Sequence, residues 1–181
     1  TNTQIRVHYD AGVGNRITLR GDQGGLSWEA GQDCEVSGSE LWICSVPEGE
    51  GELHFKPLVN DTDWAKGADY RVSLGSTVDI YPYFYTYGGT LVTHAGFQSS
   101  NVPARDVVVY LPASYEENLA KRYPVVVMHD GQNLFDPQQA FGGTAWEVDH
   151  AMDELVELDG IHEAIIVAVD NAGGARIDEY T

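Results

Sequence analysis

Residues 123–136, YPVVVMHDGQNLFD, decide how the second half of the chain is read. Val125, Val126, Val127 and Met128 form a nearly continuous apolar run that stops at Asp130 and Gly131, the pattern expected of a buried strand in a parallel sheet. Downstream, Thr144 and Glu147 have the T-x-x-E spacing of a capping box. Val148, Met152 and Leu155 follow at helical spacing, and Gly160 suits a helix stop. EAIIVAVD (163–170) is a second buried-strand pattern. Strand, helix and strand in succession predict a right-handed crossover in a parallel sheet. Upstream, GTLVTHAGF (89–97) and RDVVVYLP (105–112) read as further strands. The chain ends at RIDEYT (176–181), where a parallel sheet of so few strands is expected to leave an open apolar edge.

The first half has a different rhythm. QIRVHYD (4–10), NRITLRG (15–21), SELWICSVP (39–47), GELHFKPLV (51–59), DYRVSL (69–74) and STVDIYPYF (76–84) are short alternating runs separated by Gly, Asp, Asn and Pro. That spacing predicts an all-β sandwich. The aromatic run YPYFYTYGG (81–89) ends the rhythm, so residues 1–84 are read as a β-sandwich accessory module and residues 85–181 as a second domain.

The 28 acidic residues against 10 basic ones give a net charge of −18, with 13 against 6 in residues 1–84 and 15 against 4 in residues 85–181. A surface so negative repels phosphate backbones and anionic lipid, which argues against a nucleic-acid or membrane partner and suits neutral ligands such as sugars or uncharged esters. No stretch approaches the ~20 consecutive apolar residues of a membrane helix. Because the chain opens on Thr1, an upstream segment is expected to have been removed; the compartment is not fixed, with a secreted or periplasmic one favoured. Cys34 and Cys44 match no zinc or redox spacing, so no metal or other cofactor is expected; they either close a small loop between strands or remain two buried thiols.

RDVVVYLPASY, YPVVVMHDGQNLFD, TAWEVDHAMDELV and AIIVAVDN with RIDEYT resemble, across residues 90–181, the esterase family of α/β hydrolases that includes enterochelin esterases, feruloyl esterases and mycolyltransferases. The resemblance implies that the loop after Asp130 and Gly131 helps form an oxyanion hole, with Gln132 supplying a backbone N–H. Ester hydrolysis builds negative charge on the carbonyl oxygen, and loss of one preorganised donor costs ~10² to 10³ in rate where tested. Gly131 is read as letting the backbone turn close to substrate. The family's nucleophile lies in a G-x-S-x-G that follows these segments, and none of the nine serines here sits in one. His129, His150 and His162 are read as structural or surface histidines rather than as general bases.

GDQGGLSWEAG with Trp28, LWICSVPEGEGELHFKPL with Lys56 and DTDWAKGADYRV with Trp64 resemble starch- and glycogen-binding modules. There, two exposed tryptophans stack on glucose rings while a lysine bonds hydroxyl groups, which implies a carbohydrate site at Trp28, Lys56 and Trp64. Pro57 directly after Lys56 and the acidic pair beside Trp64 depart from that pattern. Trp42, within the alternating run LWICSV, is expected in the core. Asp61 and Asp63 are read as turn residues rather than as a glycosidase pair.

Together these readings predict an all-β sandwich followed by the N-terminal portion of an α/β hydrolase fold. The function expected is that of a truncated serine esterase with an N-terminal carbohydrate-binding-like module, its partner a carbohydrate or carbohydrate ester ligand and its ester substrate not fixed, inactive as this chain alone. A non-catalytic carbohydrate-binding protein is the alternative.

Overall fold

The computed structural model describes residues 2–47, 49–158 and 160–180, leaving out the side chains of Glu179 and Tyr180. The chain divides into two compact units. The first comprises Thr1–Thr86, Ser114–Arg122 and Glu157–Gly160, and the second comprises Tyr87–Ala113, Tyr123–Val156 and Ile161–Thr181.

In the first unit the strands are β1 (Thr3–His8), β2 (Ile17–Gly21), β3 (Gln32–Asp33), β4 (Glu35–Val36), β5 (Leu41–Val46), β6 (Glu52–Val59), β7 (Asp63–Trp64), β8 (Tyr70–Ser73) and β9 (Thr77–Ile80). One sheet runs β4-β5-β1-β9; the other runs β3-β2-β6-β7, with β8 also on β6. Period-two alternation sends Ile5 and Val7 inward from β1 while Arg6 and His8 face out, and Leu53 and Phe55 of β6 meet them in one shared core. Two sheets around a common core make a sandwich. Each of the six longer strands coincides with one of the alternating runs of the sequence, β1 starting one residue ahead of its run at Thr3. The two-residue strands β3, β4 and β7 are too short to leave a periodic signal.

Cys34 lies between β3 and β4, where the chain passes from one sheet to the other, and its disulfide to Cys44 of β5 lies in the core. Trp42 is buried there and donates its indole N–H to Tyr9 O at 3.0 Å.

The segment Ser114–Arg122 is bound by side chains rather than by strand pairing. The Glu117 carboxylate accepts from Tyr9 Oη at 3.0 Å, from the backbone N–H of Phe84, Tyr85 and Thr86 at 2.6, 3.1 and 3.0 Å, and from Thr86 Oγ1 at 2.6 Å. Burial pushes the Glu117 carboxyl up, but the Thr86 hydroxyl and the three N–H groups outweigh it and hold the carboxyl below its ordinary range. Burial, reinforced by Glu117, raises the Tyr9 phenol. Asn118 Nδ2 donates to His8 O and Pro82 O at 2.9 and 2.8 Å.

The second unit holds β10 (Thr90–Phe97), β11 (Arg105–Leu111), β12 (Val125–His129), all but the last two residues of α1 (Val148–Leu158), β13 (Ile165–Val169) and α2 (Arg176–Tyr180), with sheet order β10-β11-β13-β12. The portion of an α/β hydrolase fold expected here is not what forms. The regular structure among the described residues is mostly strands in three sheets, with two α-helices of eleven and five residues. Residues 90–111 fold as an antiparallel hairpin, and β11 pairs antiparallel with β13, so only β12 and β13 are parallel and only α1 lies between parallel strands. That β12–α1–β13 crossover is the one α/β element among the described residues.

Nor is the run at 125–127 buried. β12 is an edge strand, with Val125 and Val127 exposed by 58% and 61%, whereas Ile166 and Ala168 on the inner strand β13 are covered. Tyr110 of β11 is buried, and its hydroxyl donates to Asp153 Oδ1 at 2.6 Å.

Candidate functional site

The turn after β12 is fixed by its neighbours in chain and space. Asp130 adopts a left-handed conformation (φ 56°, ψ 43°), which aspartate tolerates better than most residues, and Gly131–Asn133 form a single 3₁₀ turn. Asn133 N–H donates to Asp130 O at 2.9 Å and Leu134 N–H to Gly131 O at 3.1 Å. Among the described residues, no acceptor takes the Gln132 N–H. A Cβ at Gly131 would lie 2.8 Å from Asp170 Oδ1 and Val169 C and 2.9 Å from Ala168 C, so glycine is required by the close approach of β13.

Both sides of the turn are tied. Asp130 accepts from Asn171 Nδ2 and from Arg176 Nη2, each at 2.7 Å, and Gln132 Oε1 accepts from Asn171 N–H at 3.2 Å. On the other side Asn133 O and Leu134 O accept the N–H groups of Trp146 and Val148 at 2.9 and 3.1 Å. These bonds do part of what a capping box would do. The helix starts at Val148 with Glu147 just before it at φ 52°, so Glu147 does not occupy the third helical position that the T-x-x-E reading requires.

Beside the turn, Asp170 Oδ1 is buried without a hydrogen-bond partner among the described residues, and burial, with Asp106 nearby, raises its carboxyl above the ordinary range. His150 is largely exposed on α1 and lies 3.9 Å from Asp149. Asp130, Asn171 and Arg176 escaped sequence reasoning as a group because Asp130 lies more than 40 residues from the other two. The one cue was an aspartate at the end of a strand facing DN at the end of the next.

The aromatic site lies on the first unit. Trp28 and Trp64 are 38% and 39% exposed, and their rings stack with centroids 6.2 Å apart at 29°. Lys56 Nζ donates to Gly67 O at 2.6 Å and lies 3.8 Å from Asp69. Arg20, directly across from Lys56 in the β2–β6 register, places its guanidinium carbon 5.1 Å from the Trp64 ring centroid. It was not singled out in the sequence because an outward-facing arginine on a strand carries no distinguishing pattern. Asp61 stands in the β6–β7 hairpin with Asn60 and Asp61 at φ 56° and 62° and Thr62 N–H donating to Val59 O, a turn of the kind that the NDTD stretch suggests. Among the described residues no group of three or more His, Cys, Asp or Glu could hold a metal ion, and no helix is long and apolar enough to cross a membrane.

Residues 102–181 match the Esterase family model. Its description is "Putative esterase", and the matched stretch contains β11, the turn at 130–133, α1 and β13. The residues that carry the turn and its ties, from Asp130 to Arg176, all lie inside the esterase match. No curated protein matches the chain.

Proposed function

We propose that the second unit serves ester hydrolysis and that the first binds carbohydrate. The observation that carries the esterase reading is the family match over residues 102–181. The turn geometry supports it: the Gln132 N–H has no acceptor among the described residues and sits between bonds that restrain it from both sides. In the reaction, a serine oxygen attacks the ester carbonyl, the carbonyl oxygen takes up negative charge, and Gln132 N–H stabilises that charge until the alcohol leaves and an acyl-enzyme remains. No G-x-S-x-G occurs in residues 1–181, so this reading takes the nucleophile from outside them. Trp28 and Trp64 form the sugar platform, with Lys56 a hydroxyl donor at its margin.

The alternative, a carbohydrate-binding protein without catalysis, is favoured by the same lack of a nucleophile motif combined with an exposed tryptophan pair. A fluorophosphonate probe on the native polypeptide that contains these residues separates the two. Labelling of one serine in a G-x-S-x-G, together with turnover of a small chromogenic ester, supports the esterase. Absence of both favours the alternative. The 181-residue chain by itself is expected to turn over no ester, and activity that vanishes when one of its own nine serines is replaced would overturn this assignment.

A further inference from the structure

We infer that Arg20 is the positioning residue of the Trp28–Trp64 pair, a role that as a ligand-binding device rests on the carbohydrate reading above. Each of the three guanidinium nitrogens has a partner: Nε donates to Asp61 Oδ1 at 2.9 Å, Nη2 to Asp61 O at 3.0 Å and Nη1 to Trp28 O at 3.1 Å. The group also lies over the Trp64 ring. One side chain therefore holds the backbone of one tryptophan and a face of the other.

Asp61 is itself immobilised. It occupies the second left-handed position of the β6–β7 hairpin, accepts from Thr18 Oγ1 at 3.3 Å and from the Gly31 N–H, and a Cβ at Gly31 would lie 2.3 Å from its Oδ1. The Arg20 hydrogen bond, against the opposing effect of burial, holds the Asp61 carboxyl below its ordinary range. Turn, aspartate, arginine and indole pair thus form one chain of support.

The geometry limits what the platform takes. A sugar ring inserted between two indoles needs a gap of about 7 Å, two carbon contacts of about 3.5 Å each. Centroids 6.2 Å apart leave no such gap, so a ligand lies across the outward indole surface. Asp61 offsets the Arg20 charge, which suits an uncharged ring better than an anionic one.

The test uses the purified 181-residue chain and its variants Arg20→Lys, Arg20→Ala and Asp61→Asn, with Arg16→Lys as control because Arg16 pairs with Asp33 in the open. Far-ultraviolet circular dichroism reads the exciton couplet of the stacked indoles, and tryptophan fluorescence reads titration with β-cyclodextrin and maltoheptaose. Arg20→Lys keeps the charge but not the three-point fork, so it is expected to lose at least about half the couplet and about tenfold in glucan affinity, with Asp61→Asn in between. The control should change neither. A couplet and an affinity that survive both Arg20 variants would overturn the inference, as would loss of the couplet with affinity unchanged. If the couplet falls in the variants but no glucan shifts the wild-type emission, Arg20 positions the pair and the carbohydrate reading fails. Should Arg20→Ala not fold, Arg20→Lys and Asp61→Asn decide.

Discussion

Val7 of β1 and Val126 of β12 both sit in short paired strands, yet Val7 is fully buried and Val126 is 42% exposed. Both strands are hydrogen-bonded to neighbours, so pairing does not distinguish them. Coverage does. In the first unit two sheets turn their apolar faces toward each other, whereas β12 is the edge of the one sheet that the described residues of the second unit form. An apolar run thus reports that a strand forms, while its burial depends on a second layer that the run does not specify.

The sharpest test of that contrast is a pair of truncations. Phe55→Ala, in the sandwich core, is expected to cost about 3 to 5 kcal/mol, while Val126→Ala should cost under about 1 kcal/mol because little apolar area is lost from cover. Chemical denaturation followed by a probe in each unit would check both, and equal losses would break the comparison.

Glu117→Ala comes next. It leaves three backbone N–H groups and two hydroxyls without their acceptor, for a loss of about 2 to 4 kcal/mol confined to the first unit. The same carboxylate sets a pH dependence. Its folded-state pKa is depressed, so its contribution is present above the unfolded value of about 4.3 and disappears as pH falls through the folded value. Hydrogen exchange of the Phe84–Thr86 amides during acid titration should show this. In Glu117→Gln that acid-linked step should be absent.

Removing the disulfide with Cys34→Ser and Cys44→Ser is expected to cost the first unit about 2 to 3 kcal/mol and the second nothing, read as a shift in denaturation midpoint. The smallest effect has the opposite sign. Asp170 carries a raised carboxyl pKa, so its charge opposes folding increasingly as pH rises from about 3.9 through the folded value. Asp170→Asn should therefore stabilise the second unit at neutral pH, by on the order of 1 kcal/mol. A destabilised variant would mean that the charge has a partner that the geometry does not include.

The sequence was most legible where period two and turn chemistry spoke together. The six longer sandwich strands, the burial of Trp42 and the turn at Asn60 and Asp61 all follow from local pattern. The stretch that resembles esterases was legible as a string of motifs, and the family match covers it from residue 102 on. What was not legible depended on residues distant in the chain. The antiparallel pairing of β11 with β13 decides against the expected fold of the second part, and neither strand announces its partner. The same holds for the sites: Trp28 and Trp64 stood out by residue type, whereas Arg20 and Arg176 act through aspartates 41 and 46 residues away.

Ser114–Arg122 belongs to the first unit although it lies between two strands of the second. During synthesis the sandwich strands emerge first, but the Tyr9 hydroxyl and the Phe84–Thr86 amides must wait for Glu117. A ribosome that has delivered all nine sandwich strands therefore holds a domain still short of its clasp. Pausing within residues 87–113 would prolong that state, in which nascent-chain proteolysis would find the aromatic run still open.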